Sequence, residues 1–271
     1  MAGVTRIGLL DVVLGAPESV ALELNLAIPV GSLAVSGSGC SSSVTLAVGD
    51  IRSDPSVPGS IALGRLTAGA GCLSRISLTV GDVENQTIVD SLSNGRVELT
   101  AHTIGTAPFT GVLFLGCIGF QCGHIRSSVV EVRAASINEL VIDSSSDSTM
   151  TVRGMVNARF GVNIQSNANL TLGAPLVYGD VRLVSVSDNT FASPPQITIG
   201  NEVDPRDPNT TNLGLVSIQR NTGLALGGIS MGDIAGDLTI QNNHGFSNAD
   251  ASDFADARTV AGVVSISGNT P

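Results

Sequence analysis

Three segments of this chain carry side chains whose types could do chemistry. The stretch NEVDPRDPNTTN (201–212) offers Glu202, Asp204 and Asp207, and the stretch SNADASDFADAR (247–258) offers Asp250, Asp253 and Asp256. Carboxylate oxygens are hard ligands that suit Ca2+. If the second stretch is a short helix, the i, i+3 spacing puts its three aspartates on one face. Neither stretch matches an EF-hand or a glycine-rich nonapeptide repeat. Solvated acidic loops, with Arg206 and Arg258 as local ion partners, are therefore the first reading, and Ca2+ is the one candidate cofactor. The third segment, Gly228-Ile229-Ser230-Met231-Gly232, fits G-x-S-x-G and is followed by Asp237 and His244. A nucleophile elbow needs a strand, a strained turn and then a helix. The flanks LALGG and DIAGDLTI read as strand and turn on both sides, so no catalytic residue is assigned. His102 and His124 read as structural or exposed.

The four cysteines, Cys40, Cys72, Cys117 and Cys122, are spaced by 32, 45 and 5 residues, which matches no zinc pattern. Cys117 with Cys122, and Cys40 with Cys72, are candidate disulfides if the chain is exported. Buried thiols are the alternative.

The elements that must position these groups form a repeat. LVIDSS (140–145), VNIQSN (162–167), LVSVSDN (183–189), LVSIQRN (215–221), DLTIQNN (237–243) and VVSISGN (263–269) end at intervals of 22, 22, 32, 22 and 26 residues. The base period is 22, with two insertions at the acidic stretches. Further short strands, such as TMTVRGM (149–155) and QITIG (196–200), lie between them. Period-2 alternation assigns Val162, Ile164, Val186, Val216, Ile218, Leu238, Ile240, Val264 and Ile266 to an inner face. One coil cannot bury that face alone; stacking coils at ~4.8 Å buries it and pairs the backbone. The recurrent Asn is read as a corner that tolerates left-handed backbone and stacks amide on amide from coil to coil.

The expected fold is therefore all-β, a parallel β-helix (solenoid) with coils of about 22 residues. It is read as one continuous domain over residues 1–271, with the repeat clearest in 137–271. The N-terminal half has the same texture in SVALELNLAI (19–28), RISLTVGDV (75–83), GRVELTAHTI (95–104) and SSVVEVRAASI (127–137). At this period about a dozen coils fit the length.

The outward positions between the buried aliphatics are Asn163, Gln165, Ser185, Ser187, Ser217, Gln219, Thr239, Gln241, Ser265 and Ser267. Stacked, they make an uncharged hydrogen-bonding strip, read as a solvated sheet face or as a binding surface. Regular Thr-x-Thr rungs would mark an ice-binding plane, and Thr149-Met150-Thr151 is the one such triplet. Aromatic platforms for sugar stacking are lacking, with no Trp and one Tyr.

Composition narrows the function classes. All 13 basic residues are Arg, so Schiff-base chemistry and a P-loop lysine are excluded. The net charge of −10 argues against nucleic acid or an anionic membrane as partner. The most apolar run, GVLFLGCIGF (111–120), is half the ~20 residues a membrane-crossing helix needs. Asp11 interrupts the apolar N-terminal stretch, so the chain reads as a mature region or an excised piece of a longer solenoid.

The motifs VNIQSN, DLTIQNN and VVSISGN resemble coils of right-handed parallel β-helix surface proteins, and GDLTIQNN resembles strands of receptor L-domains. The resemblance covers about residues 137–271 and is one of fold. It implies adhesins, polysaccharide lyases and depolymerases, ice-binding proteins or envelope solenoids. The polygalacturonase-type signatures are missing; NHG at 243–245 and GHI at 123–125 are the nearest fragments. The expectation is a non-catalytic extracellular or cell-surface module, structural, adhesive or glycan-binding. The alternative is a β-helix polysaccharide lyase or hydrolase, with an ice-binding protein third. The expected partners are a polysaccharide or envelope component, and end-to-end self-association through unpaired strand edges.

Overall fold

The computed structural model describes residues 7–14, 21–26, 30–38, 43–50, 60–67, 74–90, 92–105, 112–116, 124–155, 161–173, 176–178, 182–199 and 214–271. Alternation sets the strands. Gly95–Ile104 buries Val97, Leu99 and Ala101 while Arg96, Glu98, Thr100 and His102 face outward, as a half-buried strand requires.

These strands stack in parallel as a solenoid. The long sheet has eleven of them: Ile7–Leu14, Val30–Ser38, Ser60–Thr67, Thr87–Asp90, Leu113–Gly116, Glu139–Asp143, Gly161–Gln165, Leu183–Ser187, Leu215–Gln219, Leu238–Gln241 and Val264–Ser267. Each pairs with the one a coil away, in unbroken chain order. A second parallel sheet contains Ala21–Leu26, Ser43–Val48, Ser74–Thr79, Gly95–Ile104, Val129–Ile137, Thr149–Met155 and Thr171–Leu172, with Asp82–Val83 beside Gly95–Ile104. A three-stranded sheet, Leu176–Tyr178, Ile197–Ile199 and Ile229–Met231, serves the later coils.

Leu113, Leu140, Val162, Val184, Val216 and Leu238 hold one register position and are essentially inaccessible to solvent. They show where the core sits, as a continuous aliphatic column along the coil axis. Thr87 occupies the same column, and its buried hydroxyl has no hydrogen-bond partner. Along the long sheet a 22-residue spacing recurs from Leu140 to Val162 to Val184 and from Val216 to Leu238, with 32 residues between Val184 and Val216, whereas the earlier long-sheet strands are 23 to 29 residues apart. Long strands such as Gly95–Ile104, with ten residues, account for part of that extra length.

Two expectations need correction in detail. Val264 was expected inside but is 45% exposed, because its strand pairs on one side only and nothing described stacks beyond it. The corner Asn residues do stack, but they are not the left-handed positions. The residue before each takes positive φ, Ser166 (57°), Asp188 (58°), Arg220 (53°), Asn242 (55°) and Gly268 (67°), as does Ser144 (52°) before Ser145 at the corresponding corner.

The ladder itself is Ser145, Asn167, Asn189, Asn221, Asn243 and Asn269, all buried. Oδ1 of each Asn accepts from the backbone N–H and the side chain of the ladder residue before it, as Asn243 does from Asn221 at 3.0 and 2.9 Å. Asn Nδ2 donates in addition to a carbonyl one coil earlier, as Asn221 does to Val186 at 2.7 Å. Every internal amide is thus satisfied on both sides, which is what permits a polar column inside the coil.

The second acidic stretch folds as helix α1 (Asn248–Asp256), and its first residue finishes the ladder. Asn248 Oδ1 accepts from Asn269 N (3.0 Å) and Nδ2 (2.8 Å), as another rung would. Among the described residues, no helix is long and apolar enough to cross a membrane.

Candidate functional site

The outward face of the last five long-sheet strands is the candidate binding surface. Asn163, Ser185, Ser217, Thr239 and Ser265 stand in one register column, and Gln165, Ser187, Gln219, Gln241 and Ser267 in the next. All are half-buried except Ser267, which is exposed. The structure thus brings together all ten outward positions expected from the sequence. Parallel pairing at ~4.8 Å per strand repeats the same two outward positions at every rung, each filled by an amide or a hydroxyl.

Several groups of the strip bond one another. Asn163 Nδ2 donates to Gln165 Oε1 (3.0 Å), Gln165 Nε2 to Asp143 Oδ2 (2.9 Å) and Gln241 Nε2 to Ser265 Oγ (2.7 Å). Asn163 Oδ1 is buried without a partner. Two residues before Ser185 and Ser217, on the same face, Leu183 and Leu215 form an apolar border, 39% and 41% exposed. At the opposite border Arg220 holds Asp188 with both carboxylate oxygens, at 2.5 and 2.7 Å. That hydrogen-bonded guanidinium lowers the Asp188 carboxyl below its ordinary range. Between the borders the amides and hydroxyls both donate and accept, which suits a hydroxyl-rich ligand. Glu139, at the start of its strand, has its carboxyl pushed up by burial.

A glycine column sets up these strands. A Cβ on Gly236 would lie 1.6 Å from the Gly214 carbonyl oxygen, so the backbones approach as only glycine permits.

The other sequence candidates separate. Asp250 is the N3 residue of a capping box with Ser247, whose N–H and hydroxyl bonds lower its carboxyl, while Asp253 and Asp256 are exposed on α1. Among the described residues no three His, Cys, Asp or Glu side chains group closely enough to hold a metal ion. Arg258 does not pair with these aspartates. It lies 3.6 Å over the Phe254 ring and donates to the carbonyls of Met231 (3.1 Å) and Phe254, and burial lowers its pKa. Glu202, Asp204, Asp207 and all four cysteines, Cys40, Cys72, Cys117 and Cys122, lie outside the described residues. Ser230 sits inside Ile229–Met231, a strand preceded by a three-residue 3-10 helix and followed by the strand Leu238–Gln241, so the helix an elbow needs after its Ser is not there. His244 Nδ1 is 3.0 Å from Thr270 Oγ1, and His102 Nδ1 is 2.8 Å from Asp82 Oδ1.

Sequence reasoning missed a charged cluster on the second sheet. Arg75 and Arg96 share Glu98 at 2.5 and 2.7 Å, and Arg96 reaches on to Glu131 at 2.8 Å. The outward Arg and Glu of RISLT, GRVELT and VVEVR were the available signal, but their adjacency depends on strand register. No family model, curated protein or solved structure matches the chain.

Proposed function

We propose that this chain is a non-catalytic β-helix module of an extracellular or cell-envelope surface, right-handed like the coils it resembles, which holds a polysaccharide along its polar strip. The observation that carries this reading is the pair of uncharged amide and hydroxyl columns kept in register over five strands. Such a surface offers a linear hydroxylated polymer uncharged donors and acceptors at each rung, so weak single contacts add along the chain. The apolar border of Leu183 and Leu215 supplies a face for the less polar side of a sugar.

The test is incubation with neutral and acidic polysaccharides, with and without Ca2+, followed by sizing of the polymer and the protein. The expected result is unshortened polymer that co-elutes with the protein, and loss of co-elution in the double variant Gln219→Ala/Gln241→Ala. Shortened polymer would replace the binding module with a depolymerase. Absence of co-elution with every polymer would remove the glycan reading.

A further inference from the structure

The second sheet carries a positive locus in a chain of net charge −10. Its strands Ser74–Thr79, Gly95–Ile104, Val129–Ile137 and Thr149–Met155 stack with Ser77, Glu98, Glu131 and Thr151 in one outward column. Thr79, Thr100, Arg133 and Arg153 form the next. Arg75, Arg96, Glu98 and Glu131 satisfy one another through the ion pairs described above. Arg133 and Arg153 do not. They are exposed, directly in register, and neither has a carboxylate partner among the described residues. Glu131, two residues before Arg133 on the same face, is already held by Arg96. Arg133 also lines a cup of about 240 Å3, with Ser77, Arg96, Glu98, Thr100 and Glu131 around it and Leu99 in its wall.

We propose that Arg133 and Arg153, with the cup that Arg133 lines, bind the oxyanion groups of an acidic polysaccharide, a carboxylate or a sulfate ester. Two guanidiniums on neighbouring strands can each offer an N–H fork to an oxyanion. The Ser77 and Thr100 hydroxyls and the Glu131 carboxylate then serve neighbouring sugar hydroxyls as donors and acceptors. The glutamates beside the arginines select against a densely charged polyphosphate and favour a ligand whose charges are separated by hydroxyls. This site lies on a different sheet from the polar strip and does not need the strip to bind.

The test is native affinity electrophoresis of the full chain at low salt in gels containing polygalacturonate, dextran sulfate or neutral dextran. The wild-type chain is expected to be retarded by an acidic polymer in a salt-sensitive way. Retardation by polygalacturonate identifies carboxylate, and by dextran sulfate alone, sulfate. The double variant Arg133→Gln/Arg153→Gln should bind about tenfold more weakly, as loss of charge-assisted hydrogen bonds implies. Arg133→Lys/Arg153→Lys should recover part of the affinity, and Gln219→Ala/Gln241→Ala should leave it unchanged. Melting curves check that each variant is folded. No retardation of the wild type by either acidic polymer, or equal retardation of the Arg→Gln pair, overturns the proposal. Loss in the strip variant alone moves the acidic ligand to the polar strip, leaving the strip reading intact and this site refuted.

Discussion

The coils before Met155 and those after Gly161 share one long sheet but resist unfolding by different means. The later coils have short strands, and a buried amide column fixes their corner: Asn167, Asn189, Asn221, Asn243 and Asn269 each donate to the next. The earlier coils have longer strands and a two-sheet aliphatic core whose buried polar groups are small hydroxyls, such as Ser128 and Ser148, rather than amides, with charge on the outward face where Arg75, Arg96, Glu98 and Glu131 interlock. A buried polar column tolerates no missing member, since removing one strands its neighbours. An aliphatic interior with a solvated charged face loses little when one surface group goes. The later region should therefore be brittle to single polar substitutions and the earlier one forgiving.

The largest effect should come from Asn221→Ala. It leaves the Asn189 N–H and one Nδ2 hydrogen without an acceptor in a buried corner, at ~1–3 kcal/mol for each unmet group, or about 3 kcal/mol in all. Chemical denaturation should show this loss, and hydrogen exchange should concentrate it in the coils after Gly161. An equal effect spread over both halves would break the comparison.

Gly236→Ala comes next. The new Cβ would collide with the Gly214 carbonyl, and relief by backbone shift should cost about 2 kcal/mol, read as a lower denaturation midpoint.

In the earlier coils, Thr87→Val should stabilise by about 1 kcal/mol, because it removes a buried hydroxyl without a partner and keeps the shape. A lower midpoint would mean that the hydroxyl is satisfied by solvent inside the coil.

The smallest effects should separate the two surfaces by pH. Glu98, held low by hydrogen bonds from Arg75 and Arg96, and Asp188, held low by Arg220, each have a folded pKa below the unfolded one. Their contributions are present above the ordinary carboxylate range and vanish as pH falls through the lowered values. Glu98→Gln should cost up to about 1 kcal/mol at neutral pH, less in high salt, and should flatten that acid limb. Asp188→Asn, at a more exposed pair, should change the limb less. Glu139 has the opposite sign: its raised pKa costs stability at neutral pH, a cost relieved as pH falls through the raised value. A larger acid effect for Asp188 than for Glu98 would reverse the ranking of the two surfaces.

Reading the sequence recovered the later half closely, for a reason visible in particular residues. Asn167, Asn189, Asn221, Asn243 and Asn269 mark the corner and the aliphatics before them mark the strand, so the coil and its outward strip could be written down from spacing. The earlier half offered alternation without a corner marker. The strands Ile7–Leu14, Thr87–Asp90 and Leu113–Gly116 are not legible in it, and the register that stacks Arg133 on Arg153 is not legible even though both of their strands are. Asn248 was equally hidden. In the chain it opens a helix, and only in space does it stand where another ladder residue would.

By itself, then, the sequence determined the class of fold, the buried column and the identity of the strip, because periodicity and turn chemistry are local properties. Tertiary structure alone decided which coil meets which charge, which residue takes the left-handed corner and what completes the ladder. Those outcomes depend on inter-strand register, and register is set by the whole stack at once.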